Sequence, residues 1–351
     1  MKRLERLDGM RGLLAVYVML GHALPLTASP AWLGALCAHG QAAVDLFFAL
    51  SGLVIAGSLE RHGGRFWPFM AARAWRLLPL YGLVLVLATL AEGNGDPLRA
   101  LPWVGEAARQ IVSPALPHPL WAHLLAHLTL LHGLIPNSLL PYGWVTLLGP
   151  AWSLSTEWQF YLLIGLVAPK RLGTFAMALL GLGFLYPLLP LGGEFSRAFL
   201  PAAAAWFALG IASRLWLTSN RLGLFIACLA GVCLLAQFTG PGKAVTALVW
   251  TALMLAQRHG WASPLAARPL LYLGALSYPL YLVNEPMERL LALWLGPALG
   301  QQPHYFSLVF LPLSVLLSIA AAALLHHGLE RPFMQHNKKF LFSVIAPPVR
   351  Q

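Results

Sequence analysis

The sequence predicts an all-α, polytopic integral membrane protein: about ten transmembrane helices plus one re-entrant or interfacial helix, forming a single domain over residues 1–351. Composition comes first. Of 351 residues, 58% are hydrophobic and 10% charged, and the mean hydropathy is +0.69, too apolar for a soluble core of this length. Second, apolar runs long enough to span begin near residues 10, 41, 77, 152, 172, 198, 221, 243, 270 and 305. Third, the basic residues fall on one side. With a cytoplasmic N-terminus and ten spans, every Lys and Arg lies on the cytoplasmic side except Arg99, Arg109, Arg197 and Lys243 outside and Arg289 within a span.

The run at 121–136 is the ambiguous one. It carries His123, His127 and His132 and closes on Pro136. Counting it as an eleventh span puts the later basic loops on the wrong side, so it is expected to be re-entrant or interfacial, with both termini cytoplasmic. The net charge of +11 is therefore a topology signal rather than a nucleic-acid footprint. Cys37, Cys228 and Cys233 are scattered, without metal spacing or a disulfide framework. A signal peptide at the basic, then apolar, N-terminus is disfavoured by the lack of a small-x-small cleavage site before Pro30. There is no internal repeat and no second soluble domain.

The first apolar segment carries Arg11 and His22 with ten residues between them. Eleven steps of about 100° bring both side chains to one helix face, His22 roughly 16 Å further along. Asp45, Glu157 and Glu285 lie on the second, fourth and ninth runs. Counted from the cytoplasmic boundaries at about 1.5 Å per residue, His22 is about 18 Å deep, Asp45 and Glu157 about 20 Å, and Glu285 about 22 Å. Polar groups in a bilayer are costly, so the four are expected to face one another or a wet cavity. Glu285 also stands at i, i+4 from Arg289, which offers a purely neutralising role.

A histidine beside a carboxylate suits general-base chemistry on a hydroxyl, because the carboxylate fixes the imidazole tautomer and steadies the imidazolium. Arg73 and Arg76, at i, i+3 on a segment entering from the cytoplasm, together with Arg11 suit an anionic donor gripped through its phosphates; anchoring to anionic headgroups is the plainer alternative. His123 and His127 at i, i+4 could form half of a metal site, but no zinc-protease Glu and no third ligand accompany them, and no metal is expected.

Five ordered fragments resemble the membrane acyltransferase 3 family: "RLDGMRGLLAVYVMLGH" (6–22), "DLFFALSGLVI" (45–55), "RAWRLLPLY" (73–81), "WSLSTEWQFY" (152–161) and "LSYPLYLVNEP" (276–286). The resemblance implies an inner-membrane enzyme that moves an acyl group, with acetyl the expected one, from cytosolic acyl-CoA as donor to a hydroxyl of an extracytoplasmic or cell-surface carbohydrate. It assigns catalysis to His22, Asp45 and Glu157, and donor binding to Arg11, Arg73 and Arg76. Asn284, Glu285, Tyr161 and Trp152, inside the later fragments, are the expected substrate-binding residues. Two departures stand out. The family commonly has a His at the place of Asn284, and Ala72 stands where a further Arg often precedes the third span. Membrane lipid, acyl-CoA and a carbohydrate are the expected partners, with no nucleic acid; the sequence leaves oligomeric state, and direct transfer against an acyl-enzyme relay, open. The second functional reading is a proton-coupled transporter or flippase of lipid-linked sugars, although inverted repeats are not apparent.

Overall fold

The computed structural model describes residues 5–109, 112–167, 171–191 and 193–335. Of the basic residues assigned to the cytoplasmic side, Lys2, Arg3, Lys170, Lys338, Lys339 and Arg350 lie outside the described residues. The helices are α1 (Glu5–Ala23), α2 (Ala31–Cys37), α3 (Gly40–Arg61), α4 (Phe66–Gly93), α5 (Glu106–Arg109), α6 (Leu120–Leu128), α7 (Ala151–Val167), α8 (Leu172–Leu185), α9 (Leu200–Ser219), α10 (Leu222–Thr239), α11 (Gly242–His259), α12 (Arg268–Leu299) and α13 (Pro303–Leu325). Among the described residues there is no strand.

Among the described residues six segments are long and apolar enough to cross a membrane: 5–26, 31–61, 66–93, 200–219, 222–239 and 303–335. They coincide with six of the ten expected spans. The other four expected spans fall on α7 and α8, of 17 and 14 residues, on α11, which ends in Arg258 and His259, and on α12. That last helix has 32 residues but dilutes its apolar run with Pro279, Pro286, tyrosines and Asn284–Glu285. At about 1.5 Å per residue, α7 reaches roughly 25 Å and α8 roughly 21 Å, short of a bilayer core. The 121–136 region holds α6, whose nine residues are also too short to cross.

Outward faces of the long helices carry large apolar side chains. Leu90 on α4 is 62% exposed, and Leu308 and Leu324 on α13 are 71% and 75% exposed. In water such a surface is a liability; against acyl chains it is the expected solvent-facing composition. The interior faces of α1, α3, α4, α7, α8, α9, α10, α11 and α12 pack on a common core that includes Phe48, Phe160, Phe207 and Leu280, and a second cluster with Leu291, Phe306 and Phe310 joins α12 to α13.

Packing of α1 along α12 is the most extensive helix contact of the bundle. It is made by glycines. A Cβ on Gly12 would lie 2.7 Å from the backbone nitrogen of Gly274, and one on Gly274 would run into the carbonyl oxygen of Asp8. Small residues that let backbones meet are how helices associate when lipid removes the hydrophobic drive between them. Three further ties bind α12 to its neighbours. Tyr278 OH donates to Leu77 O on α4 at 2.8 Å, and Ser153 Oγ and Tyr281 OH lie 2.8 Å apart between α7 and α12. Arg289 spends its guanidinium on four carbonyls at the end of α4 and just beyond: Ala91 (3.1 Å), Glu92 (3.2 Å), Gly95 (2.5 Å) and Ser113 (2.7 Å). These include C-terminal carbonyls that a helix cannot satisfy by itself.

Gly274→Leu is expected to destabilise the protein by about 1–3 kcal/mol or to prevent assembly, since overpacking here moves backbone rather than a side chain. Gly223→Leu on α10, where a Cβ meets nothing within 4 Å, is the matched control. Thermal unfolding of both variants in detergent checks the contrast.

Candidate active site

One cavity gathers the expected donor residues. It is lined by Arg11 from α1, Ser51 from α3, Arg73 and Arg76 from α4, Glu157 and Tyr161 from α7, and Tyr278 and Tyr281 from α12, and holds about 910 Å³ of empty space counting its open mouth. Helical spacing explains the pairs: Arg73 with Arg76 and Glu157 with Tyr161 are one turn apart, so each pair shares a face. Tyr161 OH donates to Glu157 Oε2 in a short contact. Three guanidiniums thus face one carboxylate. Arg76 acts repulsively on both Arg11 and Arg73, and Arg73 Nε is buried without a hydrogen-bond partner. Positive charge gathered in a low-dielectric wall, with a spare N–H on Arg73, is chemically suited to an anion.

His22 stands near the end of the same helix as Arg11, eleven residues and about 16 Å beyond it. Its Nδ1 lies 2.8 Å from Asn284 Oδ1. The Asn284 amide can be oriented in only one way, because its Nδ2 donates to Leu280 O (3.1 Å) and Tyr281 O (2.7 Å) of its own helix. The Oδ1 facing His22 is therefore an acceptor, Nδ1 must carry the proton, and Nε2 keeps its lone pair. Asn284 is fully buried and lies one helical turn beyond Tyr281, a wall residue of the arginine-lined cavity. His22 itself does not line the cavity; it is tied to α12 through Asn284, two residues beyond the wall residue Leu282.

The four groups predicted at one depth do not form one cluster. Glu157 belongs to the arginine-lined cavity. Asp45 is taken by Gln41, whose Nε2 donates to its Oδ1 at 2.9 Å, and it lines a separate groove between α1, α3 and α11. Glu285 lines a third, small cavity with Glu92, Ser113 and Arg289. The described partner of His22 is Asn284, so the orienting role expected of Asp45 or Glu157 falls to an amide. The expected substrate residues also divide. Tyr161 faces the arginine-lined cavity, whereas Trp152 packs edge-on against Phe48 beneath the guanidinium of Arg197, 5.7 Å from the ring centroid. Glu285 forms no ion pair with Arg289, whose donors go to carbonyls.

The helical pair His123 and His127 is bound by other groups. His123 Nδ1 meets Thr146 Oγ1 at 2.8 Å. His127 uses Nε2 on Gly143 O at 3.1 Å and Nδ1 near Tyr81 OH at 3.3 Å, with its ring stacked on His132. Among the described residues no group of three or more His, Cys, Asp or Glu is placed to hold a metal ion. Tyr281, Ser153 and Ser51 were not singled out from the sequence. All three stand in the quoted fragments, but a hydroxyl at helical spacing does not declare which helix it will face.

Asn284→Leu, which removes the acceptor for Nδ1–H, is expected to lower kcat by about 100-fold or more while leaving donor KM nearly unchanged; the scale is that of misplacing a catalytic imidazole. Asn284→Asp, which keeps an oxygen at the same place, should retain much more activity. Steady-state kinetics of the two variants separate tautomer control from mere loss of packing.

Comparisons with known proteins agree with this architecture. Residues 4–326 match a family described as an acyltransferase domain. The chain is 27% identical to acyltransferase MdmB of Streptomyces mycarofaciens over 377 aligned positions, covering 95% of this chain and 92% of that one. It is 34% identical to protein 2 in the picA locus of Rhizobium radiobacter over 171 positions, 44% of this chain and 78% of that one. No solved structure matches. A match across nearly the whole chain, in a helical protein with several membrane-spanning segments, makes this a membrane-bound transferase of acyl groups, a member of the acyltransferase 3 family.

Proposed function

We propose that the protein is an integral-membrane O-acyltransferase that takes an acyl group, acetyl being the expected one, from cytosolic acyl-CoA and transfers it to a hydroxyl of an extracytoplasmic or cell-surface carbohydrate. The observation that supports this reading is that Arg11, which lines the arginine-rich cavity, and His22 stand on one helix, with the neutral imidazole of His22 held through Nδ1–H by Asn284 so that Nε2 is its basic nitrogen. Donor phosphates bind Arg11, Arg73 and Arg76 at the cytoplasmic end, and the thioester points along α1 toward His22. The proposed topology places both termini in the cytoplasm and the chain in the inner membrane. In it α7, α8, α11 and α12 cross alongside the six longer spans, with α7 and α12 sheltered by their neighbours. The bias of Lys and Arg toward one side supports it. A carbohydrate acceptor is the class implied by the family resemblance.

The step runs as general-base acyl transfer. His22 Nε2 takes the acceptor hydroxyl proton as the oxygen forms its bond to the thioester carbonyl carbon. The tetrahedral adduct collapses with cleavage of the C–S bond, and the thiolate of CoA leaves with the proton returned by the imidazolium. Asn284 holds the ring through Nδ1–H throughout, and no part of the step is assigned to Asp45.

Membranes carrying the protein are expected to move label from acetyl-CoA into envelope glycans, and His22→Ala at equal expression to abolish it. Equal labelling by both, dependent on the protein, would remove His22 from the chemistry. Arg76→Leu is expected to raise KM for acyl-CoA by about tenfold with a smaller effect on kcat, the loss of one charge-assisted phosphate contact. Titration of initial rate against acyl-CoA reads it directly.

A further inference from the structure

The Asp45 groove is unused by the chemistry above, and its walls have a definite polarity. It runs between α1, α3 and α11 at the end of the bundle where α3 and α11 begin, and encloses about 1410 Å³ counting its open side. Leu46, Val245 and Val249 form an apolar wall, and Val245 and Val249 are 61% and 45% exposed, so the groove opens sideways onto the face that lipid would cover. At its polar end two opposite charges look across the space. Asp45 is only 4% exposed. Its Oδ1 is held by Gln41, and the Gln41 amide is itself oriented by Arg197, whose Nη1 donates to Oε1 at 3.2 Å. Among the described residues no hydrogen bond occupies Asp45 Oδ2. Lys243 lies close enough to act on the carboxylate electrostatically, yet the two form no ion pair.

A buried carboxylate and an ammonium kept apart by an open groove are an incomplete arrangement. The carboxylate has surrendered hydration without gaining the half-buried ammonium, and a ligand that satisfies both ends of the groove carries both signs. The apolar wall adds a third requirement, a hydrocarbon portion that reaches the groove from the bilayer. We propose that this groove is a binding site for an aminophospholipid: a primary ammonium donates to Asp45, the phosphate faces Lys243, and the upper acyl methylenes lie against Leu46, Val245 and Val249. A quaternary ammonium has no N–H to give to Asp45, and a purely anionic headgroup meets the carboxylate with like charge. Both are therefore disfavoured.

The test uses the full-length protein in nanodiscs of equimolar phosphatidylethanolamine, phosphatidylcholine and phosphatidylglycerol, transferred to mild detergent, with retained lipid counted by mass spectrometry. Phosphatidylethanolamine is expected to be enriched over phosphatidylcholine by about tenfold, the scale of one charge-assisted hydrogen bond. Asp45→Asn should erase the preference. Val249→Trp, which fills the apolar wall and leaves both charges, should reduce total retention, whereas Val86→Trp on the outward face of α4 should change neither. Equal retention of the two lipids, preferential retention of phosphatidylglycerol, or enrichment that survives both groove variants would overturn the assignment. Because lipid retention is read without donor or acceptor, a failure here is distinguishable from a failure of the acyltransferase mechanism.

Discussion

The close approach of α1 to α12 is the constraint on which the site depends. Gly12 and Gly274 let the two backbones meet where any Cβ would intrude, and the separation this sets is what allows a short imidazole on one helix to reach a short amide on the other at 2.8 Å. A wider spacing, of the kind that leucines at the contact would impose, would place His22 and Asn284 beyond hydrogen-bond reach. The tight interface is also economical in the bilayer, where packing and buried polar contacts rather than water exclusion hold helices together.

Around that axis the charged groups are arranged so that their costs are met locally. Arg289 is deep in the protein, but its guanidinium saturates four carbonyls around the end of α4 and so acts as a structural cap. Arg11, Arg73 and Arg76 are treated differently: they line a common cavity with a single opposing carboxylate. That arrangement is what the proposed donor site rests on, since cations ordered before a polyanion arrives lower the cost of binding it. The same residue type thus stands in two settings, Arg289 on backbone acceptors and the other three around a carboxylate.

In the proposed mechanism Asn284 orients His22 from the place where the family that the sequence resembles commonly has a histidine. An amide cannot accept a proton as a histidine or carboxylate would, but it can accept a hydrogen bond. Here two carbonyls of its own helix decide which end of the amide faces His22. Tautomer control is preserved without a second titratable group in the membrane, where an added charge would need its own compensation.

Much was legible in the sequence because membrane helices are regular. Apolar length located six spans that the structure retains among the described residues, Arg11 and His22 do stand eleven residues apart on one helix, and the i, i+3 pair Arg73 and Arg76 does share a cavity with Arg11. Direction was not legible. His22, Asp45, Glu157 and Glu285 were expected to face one another or a wet cavity; Glu157, Asp45 and Glu285 line three separate cavities, because each helix is free to rotate about its axis until its neighbours pack. Which face of α3 meets α9, or of α12 meets α1, is decided by close contacts between distant segments of chain. Spacing along each helix was therefore set by local covalent geometry, and partnership only by the tertiary packing.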